Sequence, residues 1–290
     1  MLGVNQYGKA ETHLVRVERD GEEHSLRDLL VSVALSGAFE DVHVRGDNSA
    51  VLATDTQKNT VYAFAREFGV GSGEEFALRL ARHFVDAGGA VSQARVEVVE
   101  VAWSPLGPHA FAQTSREQRV ACVIAAAGGQ AWFVSGLSDL VVLKTTDSEF
   151  HGFPRDRYTT LAETSDRVLA TAVSARWRHD GSASFSEARA ALLDTFAAHH
   201  SLSLQQTLYA MGSAVLEACP AVFEIRLSLP NQHHFVVDLS PFGLTNDNEV
   251  FHADDRPYGL IEGAVVREGA PDPGPVWDPY PLVTNLHRHR

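Results

Sequence analysis

The 290 residues (31.6 kDa) suffice for one large domain or two of about 145 residues each. Hydrophobic residues make up 44% and charged residues 21%, a globular composition that excludes a wholly disordered or fibrous chain. With 24 Lys and Arg against 37 Asp and Glu, the formal net charge is −13, which disfavours nucleic acid and membrane surfaces as partners and requires any anionic ligand to meet a local cluster of Lys and Arg.

Lys9 to Asp20 alternates as a strand with mixed faces, and Arg27 to Phe39 keeps Leu29, Val31, Val33 and Leu35 in step as its antiparallel partner. Thr54-Asp55-Thr56-Gln57 has the form of a capping box before Val61, Phe64 and Phe68 at helical spacing, and Gly69 stops that helix. A second box, Ser72-Gly73-Glu74-Glu75, opens a helix through Phe76, Leu80 and Phe84 that ends at Gly88-Gly89. Ser92 to Trp103 and Glu117 to Ala127 read as strands. The order then returns. Strands are expected at Ala131 to Lys144 and Asp166 to Arg178. Capped helices follow from Ser184-Phe185-Ser186-Glu187 and from Ser203-Leu204-Gln205-Gln206. Strands at Val222 to Leu229 and His234 to Leu239 close the set. The pattern is strand-strand-helix-helix-strand-strand, twice, hinged near Gly128-Gly129. It predicts an α+β fold with domains at residues 1–129 and 130–268. Five prolines between Pro271 and Pro281 mark residues 269–290 as an extended or disordered tail.

Several polar residues invite chemistry, and each also has a plain structural reading. Gly69-Val70-Gly71-Ser72-Gly73 follows a helix rather than a strand, so a C-cap running into an N-cap fits it better than a phosphate loop. His199-His200 and His233-His234 are adjacent pairs, which in a strand face opposite ways, and no His-Glu-x-x-His or Cys-x-x-Cys spacing exists; no metal site is expected. Cys122 and Cys219 sit in apolar stretches and read as buried thiols. Thr54 and Gln205 fall at helix starts, where free N–H groups attract anions, although such residues also serve simply as cap or solvated surface. Asn231 and His233, two apart on extended chain, face the same side and suit a hydrogen-bonding pair. No apolar run reaches the roughly 18 residues of a membrane span. The absence of a secretory leader or a Ser-Lys-Leu-type ending makes a cytoplasmic location the expectation.

Taken in order, the segments resemble urate oxidase (uricase) over nearly the whole chain to about Glu268. The signature pieces are Tyr7-Gly8-Lys9, the run from Ala53 to Tyr62, Val142-Leu143-Lys144-Thr145-Thr146 and Phe150-His151-Gly152-Phe153. They continue with Arg155 to Leu161, Glu163-Thr164, Asp166-Arg167, Gln205 to Tyr209 and Leu229 to His233. The resemblance implies the tunnelling fold, in which two tandem four-stranded antiparallel sheets each carry two helices. It also implies a homotetramer with active sites shared between subunits. The implied reaction is oxidation of urate by O2 and water to 5-hydroxyisourate and hydrogen peroxide, with no cofactor.

By position, Arg167 and Gln205 match the family's pincer on the anionic purine, and Phe150 matches the ring stacked beneath it. Leu161 and Leu204 match its apolar and backbone contacts, and Thr54 and Asp55 the contacts from a neighbouring subunit. Asn231, with Thr54, matches the clamp on oxygen or water. Lys9, Thr54 and His233 match the proton relay. His151 stands where the family carries a bulkier aromatic. The competing readings are another purine or pterin enzyme of this fold and a non-catalytic purine-binding tunnel protein. Against the first stands the lack of metal-like spacing at Cys122 and Cys219, and against the second the presence of Lys9, Thr54 and His233.

Overall fold

The computed structural model describes residues 1–19, 21–87 and 89–278. Its first half runs β1 (Tyr7–Glu18), β2 (Ser25–Gly37), a short α1 (Glu40–Val44), α2 (Thr54–Glu67), α3 (Gly73–Ala87), β3 (Val91–Val101), a small hairpin of β4 (Ser104–Gly107) and β5 (Ala110–Ala112), and β6 (Gln118–Ala126). The second half runs β7 (Ala131–Lys144), β8 (Leu169–His179), α4 (Phe185–Ala198), α5 (Leu204–Ala218), β9 (Val222–Val236), β10 (Phe251–Asp254) and β11 (Leu260–Val266). Without α1, β4, β5 and β10, each half is strand-strand-helix-helix-strand-strand. The expected boundary residues Asp20 and Gly88, and residues 279–290, lie outside the described residues.

Apart from the β4-β5 hairpin, the strands form one antiparallel sheet in the order β1-β2-β3-β6-β7-β8-β9, and β9 carries β11 along its first part and β10 along its end. Gly128 and Gly129, with φ of +96° and +90°, turn β6 directly into β7, so the halves are joined by backbone pairing rather than by a linker. Both helix pairs therefore cover the same sheet face. Val123 belongs to the first core, and Phe133 opposite it packs against that core; Ser135, two residues on, lies opposite Trp177 of the second core. The first core is built on Phe76, Leu80 and Phe84 of α3, the second on Leu192, Phe196 and Met211 of α4 and α5. Each half also bulges its first strand at the same place. Ala10 and Glu11 oppose Ser32, with Glu11 at φ +53°; Ser138 and Asp139 oppose Ser174, with Asp139 at φ +57°. The repeat, invisible in residue identity, is explicit in backbone geometry.

Three of the four expected capping boxes cap as predicted. Ser72 Oγ accepts from the Glu75 N–H at 3.1 Å while Glu75 accepts from the Ser72 N–H at 3.0 Å; Ser184 and Ser203 cap Glu187 and Gln206. Thr54 departs from expectation. Ala53 is the N-cap and Thr54 the first helical residue, so its hydroxyl is not spent on capping. Gln57, the other half of that box, is fully buried and instead donates to the Leu52 carbonyl at 3.3 Å.

The last strands also differ. Pro230-Asn231 is not a turn between two strands: β9 runs on to Val236. Its ladder to β8 skips Leu229 and Pro230 and resumes at Asn231–Thr171, because proline has no N–H to give. The fourth strand of the second half is β11, not His234 to Leu239. Within the Pro-rich segment expected to be extended or disordered, Gly274–Trp277 forms a 3-10 turn on the sheet face opposite the helices. There Val276 packs with Cys122, Ile124 and Val134, Arg95 donates to the Pro275 carbonyl at 2.8 Å, and Trp277 donates to Glu224 at 3.0 Å. Both cysteines are buried free thiols, and burial pushes the Cys122 thiol up to about 11. Among the described residues no helix is long and apolar enough to cross a membrane.

A buried polar network locks α3 to the second half. Glu74 accepts from Arg119 at 2.7 Å and from Ser135 Oγ at 2.5 Å, and Ser135 lies 3.0 Å from His179 Nε2. Because the Ser135 proton goes to Glu74, His179 donates from Nε2, and its Nδ1 accepts from the Gly181 N–H at 3.1 Å. Both ring nitrogens are thus satisfied in the neutral form. Burial pushes the His179 pKa below its usual 6.5, against weaker opposing pulls from Glu74 and Asp180. The native state therefore resists a proton that the unfolded chain accepts, so the stability is complete above pH 6.5 and is lost as pH falls through the folded value. Urea unfolding between pH 7 and 5 should show a decline with a slope of at most about 1.4 kcal/mol per pH unit from this group. His179→Gln should flatten that decline, and an identical slope in the variant would assign it to other groups.

Candidate functional site

Seven of the predicted residues meet in one cavity of about 850 Å3 in the second half. Phe150, Leu161, Arg167, Leu204, Gln205, Asn231 and His233 all line it. They come from three places: the segment between β7 and β8, the N-terminus of α5, and the end of β9.

The segment before β8 is irregular yet pinned. Phe150 and Thr164 exchange backbone hydrogen bonds at 2.9 and 3.1 Å, and Glu149 donates to the Ser201 carbonyl at 2.8 Å just ahead of α5. The Arg167 N–H donates to the Ser148 carbonyl at 2.8 Å. Phe150, Arg167 and the start of α5 are therefore tied to one another by backbone, independent of any ligand.

Arg167 is the electrostatic centre. Its guanidinium carbon lies 5.3 Å from the Phe150 ring centroid, and its buried Nε has no hydrogen-bond partner. Among the described residues no carboxylate pairs with it, and burial alone pushes its pKa down. Leaving a cation half-buried with no carboxylate partner carries a desolvation cost, and that cost is offset when an anion enters.

At α5, the Ser203 hydroxyl takes the Gln206 N–H, leaving the first-turn N–H groups of Leu204 and Gln205 as unused donors. Leu204 is buried; Gln205 is exposed toward the cavity, next to its donor-rich helix end. Asn231, His233 and Phe235 project from one face of β9, with the His233 and Phe235 rings 5.6 Å apart. Asn231 is fixed by its N–H donating to the Gly259 carbonyl at 2.8 Å.

Lys9, Thr54 and Asp55 are elsewhere. Lys9 lies on β1 opposite Val33, immediately before the bulge that re-aims the strand. Thr54 and Asp55 open α2, and the Tyr7 hydroxyl, accepting from the Leu52 N–H at 2.8 Å, ties that entry to β1. Hydrogen bonding to Lys58 at 2.6 Å is the main cause holding the Asp55 carboxyl below its usual range, with the Lys9 charge a weaker one. In the sheet order β1 and β9 are six strand spacings apart, roughly 29 Å along the sheet. One chain does not bring the two groups together.

Sequence reasoning missed the wall made by Asn248 and Phe251, which lie between β9 and β11, where the first half carries the β4-β5 hairpin between β3 and β6. Asn248 has φ +60°, and Phe251 pairs with Val236. Among the described residues no group of three His, Cys, Asp or Glu side chains is arranged to hold a metal ion.

Comparison with known proteins is consistent over almost the full length. A family model described as Uricase matches residues 5–124 and 133–262. The chain is 52% identical over 284 residues to a uricase of Arthrobacter globiformis, covering 96% of this chain and 93% of that protein. A uricase of Oryctolagus cuniculus is 37% identical over 279 residues, covering 90% and 93%. The crystal structure of the Arthrobacter globiformis uricase matches with a TM-score of 0.91 at 51% identity, covering 96% of this chain and 98% of that one. A uricase structure from Bacillus fastidious, 23% identical with a TM-score of 0.80 over 92% and 94% of the two chains, shares the fold.

Proposed function

The chain belongs to the uricase family, and from that premise we infer that it oxidises urate with O2 and water to 5-hydroxyisourate and hydrogen peroxide, using no cofactor, at a site shared between subunits of a homotetramer. The observation that carries the substrate is the unpaired Arg167 beside Phe150 in a cavity otherwise poor in positive charge. The observation that carries the sharing is the separation of Lys9 and Thr54 from that cavity within one chain.

Urate is a flat anion with donors and acceptors around its rim. Arg167 offers a guanidinium fork to the anionic edge, and Gln205 offers an amide that both donates and accepts. Phe150 supports the ring, and the backbone donors at Leu204 and Gln205 hold a carbonyl edge. Asp55 and Thr54 of a second subunit complete the rim. The deprotonated purine is itself the reductant. It gives two electrons to O2, two protons join the resulting peroxide, and water adds as hydroxyl to the oxidised purine carbon. Asn231 and Thr54 hold the oxygen or water above the ring. Lys9, Thr54 and His233 pass protons between urate, water and peroxide. Catalysis then lies in deprotonation, orientation and a preorganised field rather than in a bound redox group.

Chelator-treated, colourless protein should consume urate at an undiminished rate, followed by the loss of urate's near-ultraviolet absorbance. Recovery of rate only on adding copper, iron or flavin would overturn the cofactor-free reading. For the shared site, Lys9→Ala and Arg167→Ala subunits should each be inactive alone and partly active when co-assembled, because some interfaces then carry one intact site. Hybrid oligomers that form without any activity would sink the sharing.

Binding and proton transfer should separate cleanly. Arg167 acts on a charge present in both ground and transition states, so Arg167→Gln should weaken urate and xanthine binding by roughly 10- to 150-fold, the value of a charged hydrogen bond. Lys9 acts only as protons move, so Lys9→Met should lose about 10²–10⁴-fold in kcat while still binding xanthine. His233→Ala should behave like Lys9→Met, more mildly. Titration calorimetry with xanthine and steady-state kinetics decide it: parent-like xanthine affinity in Arg167→Gln, or abolished affinity in Lys9→Met, would reverse the roles.

A further inference from the structure

Phe150 hangs between β7 and β8, outside the regular sheet, with its backbone pinned by Thr164. Backbone pinning does not set the plane of the ring. One face of a phenyl group that borders an open cavity has no packing, so its orientation depends on what covers the other face.

That cover is Phe153. The two ring centroids are 5.0 Å apart and the planes differ by 14°, a parallel stack. Phe150 lines the cavity and Phe153 does not, so Phe153 packs on the side of the ring turned away from the cavity. The chain doubles back to make this contact through Gly152, at φ +74°, whose N–H donates to Glu163 at 3.0 Å. The intervening His151 is exposed and turned toward Glu149 at 3.2 Å, so it contributes no packing behind the ring. Arg155 lies 5.9 Å from the Phe153 centroid, as Arg167 lies 5.3 Å from that of Phe150.

We propose that Phe153 is a positioning residue for urate oxidation: by stacking on the far face of Phe150 it sets the plane against which the purine lies. This rests on the role of Phe150 as the stacking ring. Preorganisation of that ring removes an ordering cost from purine binding. The stack is present before and during the reaction, so its loss appears in KM and in the affinity for an unreactive purine, not in kcat.

The test is steady-state kinetics with urate and calorimetry with xanthine on F153L, F153M, F153Y, F150L and F150L/F153L. F153L and F153M should raise both KM and the xanthine Kd by about 3- to 10-fold, the size of an aromatic stacking contribution, with kcat within about twofold of the parent. F153Y, which keeps the ring, should restore parent values. F150L should raise KM at least as far, and adding F153L to it should change nothing more, because Phe153 acts through Phe150. If F150L raises KM while F153L and F153M leave KM and Kd unchanged, Phe153 is not a positioning residue and the role of Phe150 stands. A lower kcat and melting temperature at unchanged KM would mark Phe153 as merely structural and equally overturn the proposal. An F150L enzyme with parent KM would remove the stacking role of Phe150 and this inference with it.

Discussion

The direct pairing of β6 with β7 through the Gly128-Gly129 turn is the constraint on which the rest depends. It fuses two repeats into one continuous antiparallel ladder, and a continuous ladder has fixed faces. Both helix pairs must then share one side, and the polar lock of Glu74, Arg119, Ser135 and His179 can form where α3 meets the second half. It also sends β1 to one edge of the sheet and β9 to the far side. The two sets of polar residues that the proposed chemistry needs are consequently kept apart in a single chain.

Charge placement follows a similar logic. The protein is strongly acidic, yet among the described residues no carboxylate neutralises the guanidinium in the cavity. Several half-buried arginines are paired with carboxylates, Arg119 with Glu74, Arg27 with Glu100 and Arg189 with Glu117, and Arg267 donates to the Val222 and Cys219 carbonyls. Arg167 has no carboxylate partner among the described residues; it is held by its backbone bond to Ser148 and lies beside an aromatic ring. A folded state that keeps such a charge without a carboxylate partner stores binding potential for an anion.

Local rules were legible wherever the sequence carries local chemistry. The serine caps at Ser72, Ser184 and Ser203 are self-contained: a hydroxyl, a free N–H three residues on, and an apolar run to follow. The same rule failed at Thr54, because Gln57 is drawn into the core and the cap passes to Ala53. Pro230-Asn231 reads as a turn by composition, but a proline is tolerated inside β9 where the ladder skips two residues. The prolines after Glu268 suggested an extended tail, while Val276 and Trp277 found an apolar patch and a carboxylate on the sheet face opposite the helices.

The sequence by itself determined most of the element order, the three serine caps, the two-fold repeat and, through ordered short motifs, the family and the residues to watch. Those features are encoded by neighbours along the chain or by fixed spacing, so no three-dimensional information is needed to read them. Only the tertiary structure decided which of those residues share a cavity, that Arg167 has no carboxylate partner among the described residues, and that Phe153 backs Phe150. These depend on contacts between segments far apart in sequence, set by strand register and by the matched bulges after Lys9 and Leu137, which leave no periodic signal in the residues themselves.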